Sequence, residues 1–357
     1  MAKTKLLELE IVRAFAILAV LLIHGTSEAT VELELGGAGQ SIYLGINKLS
    51  NFAVPVFLML SGLVLFYRYS GDWSGKQALV FYRRRIQQIV IPYLVWSLFY
   101  YFYDQWLYND SSVPLHFDGE EFLDLLPWAD ASYHLYYIII IVQFYLLFPL
   151  LMWGCTALGW FRRWLWLIGA VIQAAAFSYN HWGPGIDHFS SLCIDYFSLF
   201  ALGGSIGMYY ETFIAWMNRY YGWVIALAMV CGVVFAAMFE LEQLELLAVS
   251  GLWYALLFVL YAMFACVAFI WIGRWLLAHT PGLARVLIGL GAASFGIYLV
   301  HPAVLSYWRT HFMRVQETSY DLFVIAGFLL SLIVPWLLAS GYGKISWLFR
   351  RKKQVAR

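Results

Sequence analysis

Residues 6–25 read LLELEIVRAFAILAVLLIHG, a stretch long and apolar enough to cross a bilayer that nevertheless carries Arg13 and His24. At about 100° and 1.5 Å per helical residue, the steps between them bring His24 back to within roughly 20° of Arg13, some 16 Å further along the axis. Both side chains then share one stripe, and everything between them, Ala14 through Ile23, is apolar. An ionisable group inside a bilayer is costly, so it faces a bundle interior or a wet cavity and has a role there. The plainer readings are an Arg13 that snorkels to the headgroups and a His24 that caps the helix end.

The rest of the chain gives that stretch a membrane context. Of 357 residues, 63% are hydrophobic, 19% aromatic and 12% charged, with a mean hydropathy of +0.73. A soluble globular domain, nearer 45–50% apolar, is excluded. Apolar windows predict about ten membrane-spanning helices at 6–26, 48–67, 88–107, 134–153, 164–180, 190–209, 220–239, 247–272, 287–307 and 320–341. The expected fold is an all-α polytopic membrane helix bundle, with one membrane domain over 1–341 and a basic tail over 342–357.

A formal net charge of +1 says little, and a nucleic-acid partner is not expected. The distribution of charge says more. With the N-terminus inside, cytoplasmic segments hold Lys3, Lys5, the run Arg83 to Arg85, Arg162, Arg163, Arg274, Arg285 and the tail from Lys344, among others. Outer segments hold only Lys48, Arg309 and Arg314, so both termini are expected in the cytoplasm by the positive-inside rule. Most acidic residues, Asp110 and Asp130 among them, fall outside.

Glu8, Glu10 and Arg13 interrupt the first segment where a secretory signal would be purely apolar, so it is expected to be retained as a helix. Cys155, Cys193, Cys231 and Cys266 have no metal-type spacing and read as packing residues.

Further along, Val56 to Gly62 follows Pro55, and its Ser61-Gly62 pair permits an irregular or closely packed helix. Arg83-Arg84-Arg85, ahead of Ile91-Pro92-Tyr93, is either an anchor against anionic lipid or a phosphate site, since guanidinium forks engage phosphate oxygens two at a time. The polar loop from Asp104 to Ser132, with Trp128 and several carboxylates, is compatible with sugar contacts and equally with a plain solvated loop. His134, opening the fourth span, and His301, in the outward-running ninth, are expected at the depth of His24, where the three line a shared polar chamber with Tyr136. His181 and His188 lie in a short outer loop with Asp187 and are weaker candidates.

These stretches resemble a known family. Arg13 to His24 is an Arg-x10-His helix, Val56 to Gly62 resembles a Phe-Phe-x-Leu-Ser-Gly stretch, and Arg83 to Pro92 resembles a basic run before a proline. His134 to Tyr137 and Ser294 to His301 resemble two further signatures. Together, in order and over nearly the whole chain, they resemble the integral-membrane acyltransferase-3 family. The wording around Ile91, Val142, Ala201 and Ile297 is most similar to the branch that modifies poly-N-acetylglucosamine exopolysaccharide by O-succinylation or acetylation. Two departures stand out: Gln88 occupies the second arginine of the family's Arg-x-x-Arg, and Tyr136 replaces a tryptophan.

The resemblance implies transfer of an acyl group, usually acetyl from acetyl-CoA, to a hydroxyl of an extracytoplasmic or lipid-linked glycan by a multi-pass protein of the bacterial cytoplasmic membrane. Acyl-CoA enters as co-substrate; no resident cofactor and no metal are expected. A sugar hydroxyl needs a base within hydrogen-bond reach, and His24 suits that task. Arg13 then binds the donor together with Arg83, Arg84 or Arg85, and the thioester arm reaches His24 along the shared stripe. Ser61 is a further chamber residue. The competing readings are a transporter or flippase for a glycan or lipid-linked sugar, whose path the buried Arg13 and His24 would line, and a metal site of His24, His134 and His301.

Overall fold

A computed structural model describes residues 4–71, 73–109, 112–312 and 317–355, with backbone alone at 317–319 and 344–355. Lys3, Asp110, Arg314 and the side chains of the basic tail from Lys344 therefore lie outside the described residues.

All regular structure among the described residues is helical. In chain order the α-helices are α1 (Leu7–Thr26), α2 (Ala29–Glu32), α3 (Ala38–Ser50), α4 (Ala53–Tyr69), α5 (Gly75–Arg85), α6 (Ile91–Tyr108) and α7 (Gly119–Leu125). There follow α8 (Tyr136–Ala157), α9 (Gly159–Trp182), α10 (Phe197–Met208), α11 (Tyr210–Gln243), α12 (Gly251–His279), α13 (Pro281–His311) and α14 (Glu317–Val355). Six described stretches are long and apolar enough to cross a membrane on their own: Ala38–Tyr69, Tyr136–Ala157, Tyr210–Gln243, Gly251–His279, Pro281–His311 and Tyr320–Gly343. Several helices overrun the apolar windows. α9 starts at Gly159 and takes in Arg162 and Arg163, and α13 starts at Pro281, whose fixed φ and missing N–H suit a first helical turn. Hydropathy marks the lipid-facing length, whereas backbone hydrogen bonding continues into polar flanks.

The chain forms two compact units. One comprises Thr4–Ala53 and Tyr220–Arg357. Within it α1 packs among α3, α12, α13 and α14. Ile11, Val12, Ala14, Ala16 and Ile17 are fully buried, as expected where an apolar stretch of helix is packed against several neighbours. The first turn of α1 presses so closely on α13 that a Cβ at Gly291 would collide with the Glu10 carbonyl. The acids that interrupt the apolar pattern are matched by cations. Glu8 accepts from Arg274 of α12 at 3.3 Å, and Glu10 lies 2.9 Å from Lys5 and 3.0 Å from Arg13.

The other unit is built from Val54–Arg219. Here α4 and α10 meet backbone to backbone. Side chains added at Gly62, Gly203 or Gly207 would strike the carbonyls of Phe200, Met59 and Leu63 respectively. Small residues are what allow such an approach between apolar helices. At the start of α10, Gln173 Oε1 of α9 accepts from the Ser198 N–H at 2.9 Å and from its hydroxyl, satisfying donors that a helix start leaves open.

Between α5 and α6 the helix widens into a π turn, Ile86–Val90, in which the Ile91 N–H reaches the Ile86 carbonyl. Pro92 explains its position: it offers no N–H to Gln88 and its ring crowds the preceding turn, so the wider turn makes room. All four cysteines are buried and unbonded.

Candidate functional site

The clearest constellation gathers at the C-terminal end of α1. His24 of α1 and His301 of α13 are in ring contact, with centroids 5.3 Å apart and planes inclined by 33°. His301 is fully buried, and its Nδ1 lies 2.8 Å from the Tyr298 carbonyl oxygen and 3.2 Å from that of Ile297. Carbonyl oxygens only accept, so Nδ1 carries a proton, and Nε2 is the ring nitrogen at which the imidazole gains or loses one. The sequence supplies the reason. Pro302 has no N–H, so Tyr298 loses its helical donor four residues on, and the imidazole beside the proline takes the vacated oxygen.

The backbone under His24 is held from two sides. Arg309, two turns beyond His301 on α13, donates Nη2–H to the His24 carbonyl at 2.6 Å and to Ser27 Oγ at 3.4 Å. Its Nε lies 3.2 Å from Glu28 Oε1. From α3, Asn47 donates Nδ2–H to the Ile23 carbonyl at 2.9 Å and to Thr26 Oγ1 at 3.2 Å. These groups answer carbonyls that a helix end leaves open, and they fix where His24 starts from. Arg309 and Asn47 are absent from the set expected from the sequence. A signal was there, since Arg309 is one of only three basic residues assigned to outer segments and a charge so placed calls for a partner.

Arg13 sits at the other end of the stripe, on the unbroken helix that the spacing predicts. Its Nη1–H donates to Glu10 Oε2 at 3.0 Å, and its side chain is 31% exposed. The stripe between Arg13 and His24 is not an open passage: Ile17 and Val20, which lie on it, are 0% and 3% exposed. The expected route for a donor arm along that line is therefore closed by packed aliphatic side chains.

The remaining candidates belong to the Val54–Arg219 unit. Ser61 Oγ donates to the Phe57 carbonyl of its own helix at 2.8 Å, the usual resting place of a mid-helix serine. Arg83 and Arg84 are exposed, whereas the Arg85 guanidinium lies over the Tyr145 ring at 4.5 Å and the Phe81 ring at 5.1 Å. That separates the three arginines: Arg85 is stacked into the fold and the other two are accessible.

His134 precedes α8 rather than lying on it, because the helix begins at Tyr136. It is buried, its Nδ1 is 3.0 Å from Ser132 Oγ, and its ring meets Tyr100 edge-on at 5.0 Å. Tyr136 lines a cleft of about 530 Å³ together with Trp128, His188 and Tyr196. Trp128 and His188, from different loops, stack at 4.4 Å with planes 8° apart.

A family model described as an acyltransferase domain matches residues 6–340. The chain belongs to the acyltransferase-3 family. It is therefore an acyltransferase, and with its apolar helices a multi-pass membrane protein. Among curated relatives, a probable poly-β-1,6-N-acetyl-D-glucosamine export protein of Staphylococcus epidermidis is 27% identical over 318 residues, covering 85% of this chain and 82% of the relative. A protein of the same name from Staphylococcus aureus strain MSSA476 is 24% identical over 312 residues, 84% of this chain and 82% of its own length. No solved structure matches.

Proposed function

We propose that this acyltransferase moves an acyl group, acetyl in the first instance, from cytosolic acyl-CoA to a hydroxyl of an extracytoplasmic or lipid-linked glycan in the bacterial cytoplasmic membrane, with His24 as general base. The observation that carries the reading is the contact between His24 and His301 at an end of α1 held by Arg309 and Asn47. His24 removes the proton of the sugar hydroxyl as its oxygen bonds to the thioester carbonyl carbon. The tetrahedral intermediate then breaks its carbon–sulfur bond, and the CoA thiolate leaves and takes up the proton. The neighbouring His301 imidazole, its Nδ1 proton committed to Tyr298, holds its ring against His24 during this exchange.

The topology that serves this reaction has ten crossings with both termini inside, one catalytic domain over 1–341 and a basic tail over 342–357 against the cytoplasmic headgroups. The accessible Arg83 and Arg84 then meet the CoA phosphates on the cytoplasmic side. Because Ile17 and Val20 close the stripe of α1, the thioester reaches the histidines by a path that leaves that line. The names of the staphylococcal relatives support a β-1,6-linked N-acetylglucosamine polymer as acceptor.

Those same names favour one alternative, polymer export without group transfer. Purified protein supplied with acetyl-CoA and a β-1,6-linked N-acetylglucosamine tetrasaccharide separates the two. Mass spectrometry that finds acetyl ester on the sugar and free CoA in equal amount supports acyl transfer. Release of neither, in a preparation that moves the saccharide across liposome membranes, supports export.

A further inference from the structure

Beyond the histidine pair, the Val54–Arg219 unit holds a second place built for a ligand. Between the turn that leads into α8 and the turns joining α9 to α10 lies an open cleft of about 530 Å³, within the roughly 300–1,000 Å³ common for small-molecule sites. Five ring-bearing residues, Trp128, Tyr133, Tyr136, His188 and Tyr196, and the acidic Asp130 are among its lining residues. No Lys or Arg is among its lining residues.

Two features mark it as organised rather than incidental. Three non-glycine residues among those described have left-handed backbone, and two of them line this cleft: Ala129, with φ 64°, and His188, with φ 53°. Such residues persist where the surroundings over-determine them, and they gather at ligand sites. Ala129 sets the directions of its neighbours Trp128 and Asp130, while His188 lies flat on the Trp128 indole. An interfacial tryptophan would lay its ring in lipid headgroups; this one is pinned to an imidazole of another loop.

The floor is tied as well. Gln143 of α8 donates Nε2–H to the Ser191 carbonyl at 2.9 Å, and its Oε1 accepts from the Cys193 N–H at 2.8 Å. One helical amide thus holds the α9–α10 connection against α8. The Ser191 N–H closes a turn onto the His188 carbonyl at 2.8 Å.

We propose that this cleft is a subsite for a neutral pyranose ring of the glycan acceptor, an inference that rests on the acyl-transfer reading for the identity of that acceptor. A sugar ring has two chemically different surfaces. Its C–H faces are apolar and positively polarised, and they fit against the electron-rich faces of aromatic rings. Its rim of hydroxyls pairs with a carboxylate and phenols, which is what Asp130, Tyr133 and Tyr196 supply. The absence of cations from the lining argues against a phosphorylated or uronic ring, which would leave its charge unmatched beside Asp130.

The test is equilibrium binding of the β-1,6-linked N-acetylglucosamine tetrasaccharide to the purified full chain in detergent. Trp128→Ala and Asp130→Asn are compared with Trp223→Ala, a 74% exposed tryptophan of α11, as control. The two cleft variants should each weaken binding at least tenfold and the control less than twofold. Asp130 is exposed, so its variant folds even where Trp128→Ala does not. Unchanged affinity in Asp130→Asn and in a folded Trp128→Ala, or no saccharide binding by the wild type, overturns the subsite. The two readings fail separately: a wild type that binds through the cleft and transfers no acetyl sinks the acyl-transfer reading alone, whereas transfer with cleft variants of unchanged affinity sinks the subsite alone.

Discussion

His301 donates its Nδ1 proton to the carbonyl oxygen of Tyr298, 2.8 Å away, the oxygen that Pro302 deprives of its helical donor. A histidine followed by a proline in mid-helix is thus a device that fixes a tautomer, leaving Nε2 as the basic nitrogen beside His24. Pro302→Ala restores the N–H, which competes for Tyr298 and frees the imidazole to turn. His301→Gln, lacking a basic nitrogen, should lower kcat about 100-fold, the lower end of what a proton-transfer group contributes. Pro302→Ala should fall between it and wild type, by steady-state acyl transfer. Equal kcat in all three proteins contradicts the role.

Arg309 bears on the position of His24 rather than on protons. Arg309→Ala removes the donor to the His24 carbonyl and the partner of Glu28, at a cost of about 1.5–3 kcal/mol, the range for hydrogen bonds to a charged group. Thermal unfolding in detergent should show the loss, with Arg309→Lys recovering only part of it, because an ammonium cannot reach both groups as a fork does.

The arginine run should divide by function. Arg83→Gln with Arg84→Gln should raise the KM for acetyl-CoA about tenfold and weaken its dependence on salt, since both side chains are exposed and engage phosphate through charge. Arg85→Gln should instead lower thermal stability, because it removes the guanidinium from the faces of Tyr145 and Phe81. A KM effect confined to Arg85 reverses this assignment.

The α4–α10 seam admits no side chain. Gly203→Val should cost about 3 kcal/mol or more, at or beyond the upper end of ordinary overpacking, because what it strikes is the Met59 carbonyl, which cannot swing aside as a side chain can. Expression level and unfolding temperature report it, and a neutral Gly203→Val contradicts the close approach.

Much of this was legible in the chain. The apolar stretches fall on helices because burial in lipid and helical backbone bonding demand the same length of sequence. The Arg13–His24 stripe follows from the helical repeat alone. What was not legible depends on tertiary meeting. Arg309 and His24 touch across α13 and α1, and no spacing rule links them. The closure of the stripe by Ile17 and Val20 reflects what packs against α1, which an apolar run cannot express. The stack of Trp128 on His188 joins two loops whose residues each look like ordinary polar connections. Apolar windows mark membrane spans and not helix ends: polar flanks stay helical, as at Arg162 in α9, while a turn holds His134, expected to open the fourth span, just ahead of α8.

The most direct measurement is the single-turnover rate of acetyl transfer to the tetrasaccharide by His24→Gln, in protein shown by unfolding temperature to be as stable as wild type. The account predicts a rate lower by about 10²–10⁴, the usual contribution of general acid–base catalysis, with acetyl-CoA still bound. A rate equal to that of the wild type contradicts it.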